Sequence, residues 1–303
     1  MMMLGVAAMA LTACNNQAEI EEIAENETTP VEIEFTGTIA DNAKTRVSDT
    51  SWDKGDSIGV FMDSIAVNNK YVTTDGDGVF KAENSDILNG SATHKVYAYY
   101  PYSSSFDTET TVRNSMSANP EDQKKYDYMV AEATVSKSSP KVKLEFKRKM
   151  MRLVINVRTS AADGFNADDV FGNVEGSEIT SSYGDLSGHI KDIHVNFSEG
   201  LVEATGRSTS LESLKNGEHD TVNHVLRYTI ILPPQSGYIY YWHNLNEKTY
   251  GITLTTTNNK YEAGYTYTYN LVYKKTGLII SDSTIEAWND GGLKEYGTYY
   301  TTD

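Results

Sequence analysis

From Val31 onward, apolar and polar side chains trade places at every second position. Val31, Ile33, Phe35 and Ile39 alternate with Glu32, Glu34, Thr36 and Thr38, and Val142, Leu144 and Phe146 alternate with Lys141, Lys143, Glu145 and Lys147. Successive side chains of a strand point to opposite faces, so this period predicts strands with one face buried and one in water. Further runs follow at Ile193-Val195-Phe197, Tyr228-Ile230-Leu232 and Tyr265-Tyr267-Tyr269-Leu271-Tyr273. Between Phe146 and Met151 the parity changes, because Met151, Leu153, Ile155 and Val157 carry the next apolar positions. A one-residue bulge within residues 147–150 would restore a single buried face, and a strand crossing from one core to another would do equally well. The 21 tyrosines, with many Thr, Val and Ile, suit a pleated surface.

Turn signals punctuate these runs at Asp75-Gly76-Asp77-Gly78, Asn89-Gly90, Pro233-Pro234, Asn258-Asn259 and Gly291-Gly292. No segment keeps a helical stripe, so the expected fold class is all-β, built as sandwiches. A chain of 303 residues is long enough for two cores and a tether. The stretch Ser136-Lys137-Ser138-Ser139 before Pro140 marks the expected division into residues 31–140 and 141–303, with the strand at Val142 open to either side.

Cys14 is the sole cysteine, which excludes an intramolecular disulfide. It follows the apolar residues 1–11, and Leu11-Thr12-Ala13-Cys14 resembles the lipobox of bacterial lipoproteins, in which the thiol takes a diacylglycerol. The apolar stretch is shorter than the roughly 20 residues of a membrane helix and matches the core of about 7–15 found in secretory signals. No Lys or Arg precedes it, a departure that leaves a start further upstream or a buried element as alternatives. Residues 1–14 are therefore expected to be a lipoprotein signal peptide. Residues 15–30, with Glu19, Glu21, Glu22, Glu25 and Glu27, are expected to be a solvated acidic tether, compatible with a short helix over 17–24. A lipid on Cys14 would anchor the chain without spanning the membrane.

A formal charge of −16 opposes nucleic acid or an anionic bilayer as partner, since both require clustered Lys and Arg. His94, His189, His194, His219, His224 and His243 show no helical i, i+4 spacing and have no Cys nearby; solvated or sheet-surface positions suit them, and no metal is expected. The Asp75 to Gly78 stretch has the look of a calcium loop, but Asp86 stands where the bidentate Glu would be, and a hairpin turn explains it. Ser, His and Asp form no nucleophile motif, no acidic pair sits in an apolar setting, and no Gly-rich loop opens a helix. Neither catalytic residues nor a cofactor are expected. Trp52, Trp242, Trp288 and the aromatic runs at 97–102 and 238–242 read as strand-core residues, with platforms for carbohydrate as the alternative.

Five blocks remain: Thr45-Arg46 with Trp52-Asp53-Lys54-Gly55-Asp56-Ser57-Ile58-Gly59-Val60-Phe61; Tyr97-Ala98-Tyr99-Tyr100-Pro101-Tyr102; Leu144-Glu145-Phe146-Lys147-Arg148-Lys149-Met150-Met151-Arg152-Leu153; Ile231-Leu232-Pro233-Pro234-Gln235; and Tyr261-Glu262-Ala263-Gly264-Tyr265-Thr266-Tyr267, followed by Ile285-Glu286-Ala287-Trp288. In order and spacing they resemble the fimbrillin family of Bacteroidetes surface proteins, in particular its minor-fimbrillin-like branch. The resemblance implies two transthyretin-like β-sandwich domains in tandem, an outer-membrane lipoprotein precursor at the cell surface, and a pilus (fimbria) subunit serving cell adhesion.

In that family, cleavage after a basic residue removes the first strand, and a strand from another subunit fills the groove, a form of strand addition. Carried onto this chain, the removable strand is Val31, Ile33, Phe35 and Ile39. The cut falls between Arg46 and Val47, at the end of the polar loop Asp41-Asn42-Ala43-Lys44-Thr45-Arg46. The implied partners are other fimbrillin subunits, a processing protease and the outer membrane through the lipid on Cys14. An ordinary loop arginine beside a permanent edge strand is the alternative. The tail 291–303, in which Leu293, Tyr296, Tyr299 and Tyr300 break strict alternation, either donates a strand or closes its own domain. The competing function is a non-polymerising surface lipoprotein that binds a glycan or host-surface ligand.

Overall fold

The computed structural model describes residues 29–40, 52–63, 65–84, 87–88, 92–113, 116–159, 161–163, 184–197, 201–207, 210–220, 222–245 and 248–288. Cys14, Arg46, Val47, the acidic stretch to residue 28, the tail from residue 289 and the turns at Asn89-Gly90 and Gly291-Gly292 lie outside the described residues.

The chain is all-β, as the alternation predicts. Its first half runs β1 (Val31–Glu32), β2 (Glu34–Ile39), β3 (Ser57–Met62), β4 (Ile65–Thr73), β5 (Val79–Ala82), β6 (Ile87–Leu88), β7 (Thr93–Tyr100), β8 (Glu109–Arg113), the short helix α1 (Pro120–Lys124), β9 (Met129–Ser136) and β10 (Lys141–Arg148). The second half continues with β11 (Met151–Thr159), β12 (Gly184–Ser187), β13 (Ile190–Asn196), β14 (Leu201–Arg207), β15 (Glu212–Leu214), β16 (Glu218–Asp220), β17 (Val225–Leu232), β18 (Gln235–Ser236), β19 (Ile239–Leu245), β20 (Lys248–Leu254), β21 (Lys260–Tyr261), β22 (Tyr265–Lys274) and β23 (Gly277–Ala287).

Where the sequence reading expects a sandwich, strands β10-β2-β5-β4-β3-β7-β9 close into a barrel, whose inward positions Phe35, Ile58, Val60, Tyr71, Phe80, Val96, Leu144 and Phe146 are fully buried. Closure removes both sheet edges. In the second half, the sheet β16-β17-β11-β22-β23 and the sheet β15-β12-β19-β20 share one core built on Leu153, Ile155, Ile230, Leu186, Ile239 and Tyr241. A third sheet, β14-β13-β8, takes strands from both halves.

The parity change after Phe146 is a crossing between cores. β10 pairs with β2 and β9, whereas β11 pairs with β17 and β22. The strand at Val142, open to either side in the sequence, pairs within the barrel as Lys141–Arg148, and the chain leaves it at Lys149 and Met150. Asp75-Gly76-Asp77-Gly78 does turn a hairpin, between β4 and β5. Asp77 Oδ1 accepts from Thr73 Oγ1 at 3.1 Å and from the Val79 amide at 2.9 Å, while Gly76 and Gly78 take the positive φ that the turn requires. Two histidines are not where the sequence reading puts them: His189 and His243 are fully buried. Trp52 and Trp288 are core residues, whereas Trp242 is half-exposed on the outer face of its sheet.

Candidate functional site

The run 31–39 forms two pieces. Val31 pairs with Leu88 in the ribbon β1-β6 and is only half-buried, while Ile33, Phe35 and Ile39 enter the barrel core at 3%, 0% and 8% exposure. β2 is an interior strand. It pairs in parallel with β10, from Lys141↔Glu34 to Phe146↔Ile39, and antiparallel with β5, from Glu34↔Lys81 to Thr36↔Val79. With a neighbour on both sides, β2 is not an edge strand. Its removal would leave β5 and β10 as two facing edges over an uncovered apolar floor.

Each position of β2 reads a different part of the slot. Glu34 lies 3.0 Å from Lys141 and 3.6 Å from Lys81, and the Lys141 hydrogen bond holds its carboxyl below the usual range. Phe35 meets Tyr71 edge-on at 5.0 Å. Gly37 faces inward where there is no room for a side chain. An added Cβ would stand 2.9 Å from the Phe80 ring, 3.1 Å from Phe146 and 3.3 Å from Trp52. Trp52 uses that space, donating from Nε1 to the Gly37 carbonyl at 2.8 Å and packing edge-on against Phe80, Tyr100 and Phe146. At the far end, the Ala40 amide donates to the Phe146 carbonyl at 2.7 Å.

The end of β2 opens on a cleft of about 340 Å³ between the barrel and the second half. Ile39, the last residue of β2, and Trp52 both line it. Its charged groups are matched with one another. Arg148, 3% exposed in its side chain, pairs with Asp127 at 3.2 Å and lies 4.9 Å from the Trp288 ring centre, with Arg152 at 5.1 Å. Lys124 reaches Asp53 at 2.6 Å and Asp56 at 3.2 Å, and the Tyr100 hydroxyl donates to Asp56 at 3.1 Å. Burial, with Asp56 and Asp127 nearby, raises the Tyr100 phenol. Among the described residues no three His, Cys, Asp or Glu side chains are placed to hold a metal ion. The β2 slot is lined by apolar side chains, and the cleft beside it carries the Arg148–Asp127 and Lys124–Asp53 pairs.

Sequence reasoning read Ile33, Phe35, Ile39, Leu144, Phe146 and Trp52 as buried residues without bringing them to one slot, and it missed Gly37 and Phe80. The available signal was Gly37 itself. A glycine inside an alternating strand marks a close approach by something else.

The fimbrillin-like family profile matches residues 45–288. A Bacteroides uniformis protein named as a candidate fimbrium subunit, Fim1C, is 24% identical over 261 residues, covering 82% of each chain. Two crystal structures named for candidate cell adhesion proteins share the fold. The one from Bacteroides uniformis is 21% identical with a TM-score of 0.64, covering 86% of this chain and 99% of that one. The other, from Bacteroides ovatus, is 20% identical with a TM-score of 0.62, covering 86% and 98%. With a match running from Thr45 to Trp288, this chain belongs to the fimbrillin-like family.

Proposed function

We propose that this chain is a fimbrial subunit that is exported as a lipoprotein on Cys14, is cut between Arg46 and Val47, and assembles by donor-strand exchange for cell adhesion. The observation that carries the reading is β2: an interior barrel strand with Ile33, Phe35 and Ile39 buried, whose last residue lines an open cleft. Each of these side chains contributes about 1.5–3 kcal/mol when buried. A subunit that has lost them carries an unfilled apolar slot between two free edges, and that instability drives uptake of a partner's strand.

On this reading the two halves are tandem transthyretin-like domains, the lipid holds the precursor at the outer membrane, and the finished subunit sits in the fimbria. Its partners are a processing protease and other subunits. N-terminal sequencing of surface-assembled protein tests it. The expected mature start is Val47, with ladders that resist mild denaturation on a gel. A mature chain still carrying residues 31–39, or a monomer with no ladder, would sink the proposal.

A further inference from the structure

The second half carries a feature that strand exchange does not use. Where β18 pairs with β21, Ile190, Pro234, Gln235, Ser236, Lys260 and Glu262 surround an open groove of about 480 Å³. Gln235 is 6% exposed. Its Oε1 accepts from the Ile190 amide at 2.7 Å, which fixes which end of the side-chain amide is the donor. That donor, Nε2, is buried without a partner. Gln235 lines the groove, and a buried N–H with no partner in the protein calls for an acceptor from outside the chain.

Beyond the groove the chain turns outward into an aromatic row. Tyr238 is 45% exposed, with Asn259 donating to its hydroxyl at 3.4 Å. Tyr240 follows at 6.4 Å between ring centres, and then Trp242. Two glycines let these rings lie across the backbone. A Cβ on Gly251 would stand 2.4 Å from the Trp242 ring, and one on Gly188 would stand 3.1 Å from the Tyr240 ring. Flat, half-exposed rings present electron-rich faces to the C–H groups of a sugar ring. Charge narrows the choice further. Lys260 and Glu262 neutralise each other at 2.8 Å, so the groove has no net charge to offer a sulfate, a phosphate or a basic peptide.

We infer that this groove and the adjoining row Tyr238, Tyr240 and Trp242 bind a neutral oligosaccharide, with Gln235 Nε2 donating to a sugar oxygen and the rings stacking on the pyranose faces. The inference is independent of strand exchange, because it requires neither cleavage nor a neighbouring subunit.

The test uses the full chain on an array of neutral gluco-, galacto-, manno- and N-acetylglucosamine-configured oligosaccharides, with sulfated and sialylated glycans and a set of extended peptides as comparators. Retention on at least one neutral series is expected. Tyr238→Ala and Gln235→Glu should each weaken it at least tenfold; the second keeps an acceptor for Ile190 and puts a carboxylate oxygen in place of the donor. Tyr238 is a surface residue, so its variant reports even if the buried substitution perturbs folding. Retention of no neutral sugar, preference for the charged glycans or the peptides, or parental binding by Tyr238→Ala would each overturn the inference.

Discussion

His243 shows how much one residue's burial can set. Ile239, Tyr241 and His243 share the inward face of β19, and the imidazole is fully buried. The Tyr241 hydroxyl lies 3.1 Å from Nδ1, and the Tyr273 ring stands edge-on at 5.3 Å. Burial lowers its pKa to about 4. An unfolded histidine titrates near 6.5, so between these values the unfolded chain binds more protons than the folded one. The contribution to stability is therefore complete above about pH 6.5 and lost as the pH falls towards 4. Integrated from pH 7 to pH 5, the loss is about 2 kcal/mol. Urea denaturation at both values should show this drop in the parent, and His243→Gln should remove that part of the pH slope whatever its effect on absolute stability. An unchanged slope would assign the acid sensitivity elsewhere. The position was legible in principle, because strand parity sends His243 inward with Ile239 and Tyr241. Its residue type argued for the surface, and parity won.

At the scale of elements, alternation carried most of the information. It located β2, β10, β11, β13, β17 and β22, and the parity change after Phe146 marked the point where the chain passes between cores. It was silent on order within the sheet. Whether residues 34–39 form an edge or an interior strand depends on partners more than forty positions away for β5 and more than a hundred for β10, and local pattern does not record them. Gly37 is where local chemistry and distant packing meet. Gly37→Val would force side-chain atoms against Phe80, Phe146 and Trp52 and push Trp52 Nε1 off the Gly37 carbonyl. Overpacking of this kind costs about 1–3 kcal/mol. A lower urea midpoint by that amount, with a red-shifted tryptophan emission as Trp52 loses its pocket, is the expected result. Equal stability would mean the barrel breathes enough at β2 to absorb an isopropyl group. It would also remove any demand for a small residue at this register in whatever strand fills the slot.

The whole molecule is held by a piece that neither half owns. β13 pairs with β8 across the division, with Arg113 donating to Asp192 at 2.8 Å although they lie 79 positions apart in sequence. Just past β13, Phe197 inserts into an aromatic stack on the barrel's outer face. It lies 3.9 Å from Tyr99, 5.7 Å from Phe106 and 5.9 Å from Phe61 between ring centres. Nothing in the alternation of Ile193, Val195 and Phe197 says that their apolar side rests on the other half, which is why the sequence suggested two cores without suggesting how they couple. The stack draws on β3 and β7, on the far side of the barrel order from β2, so loss of β2 leaves this clamp in place. If the clamp couples the halves, the parent melts in one calorimetric transition. Phe197→Ala should then remove about 3–5 kcal/mol of packing from the junction and split the melt into two transitions, one for the barrel and one for the sandwich. A single transition shifted to lower temperature would place the coupling instead in the Arg148–Asp127 pair and Trp288, and doubling Phe197→Ala with Arg148→Met would separate the two contributions.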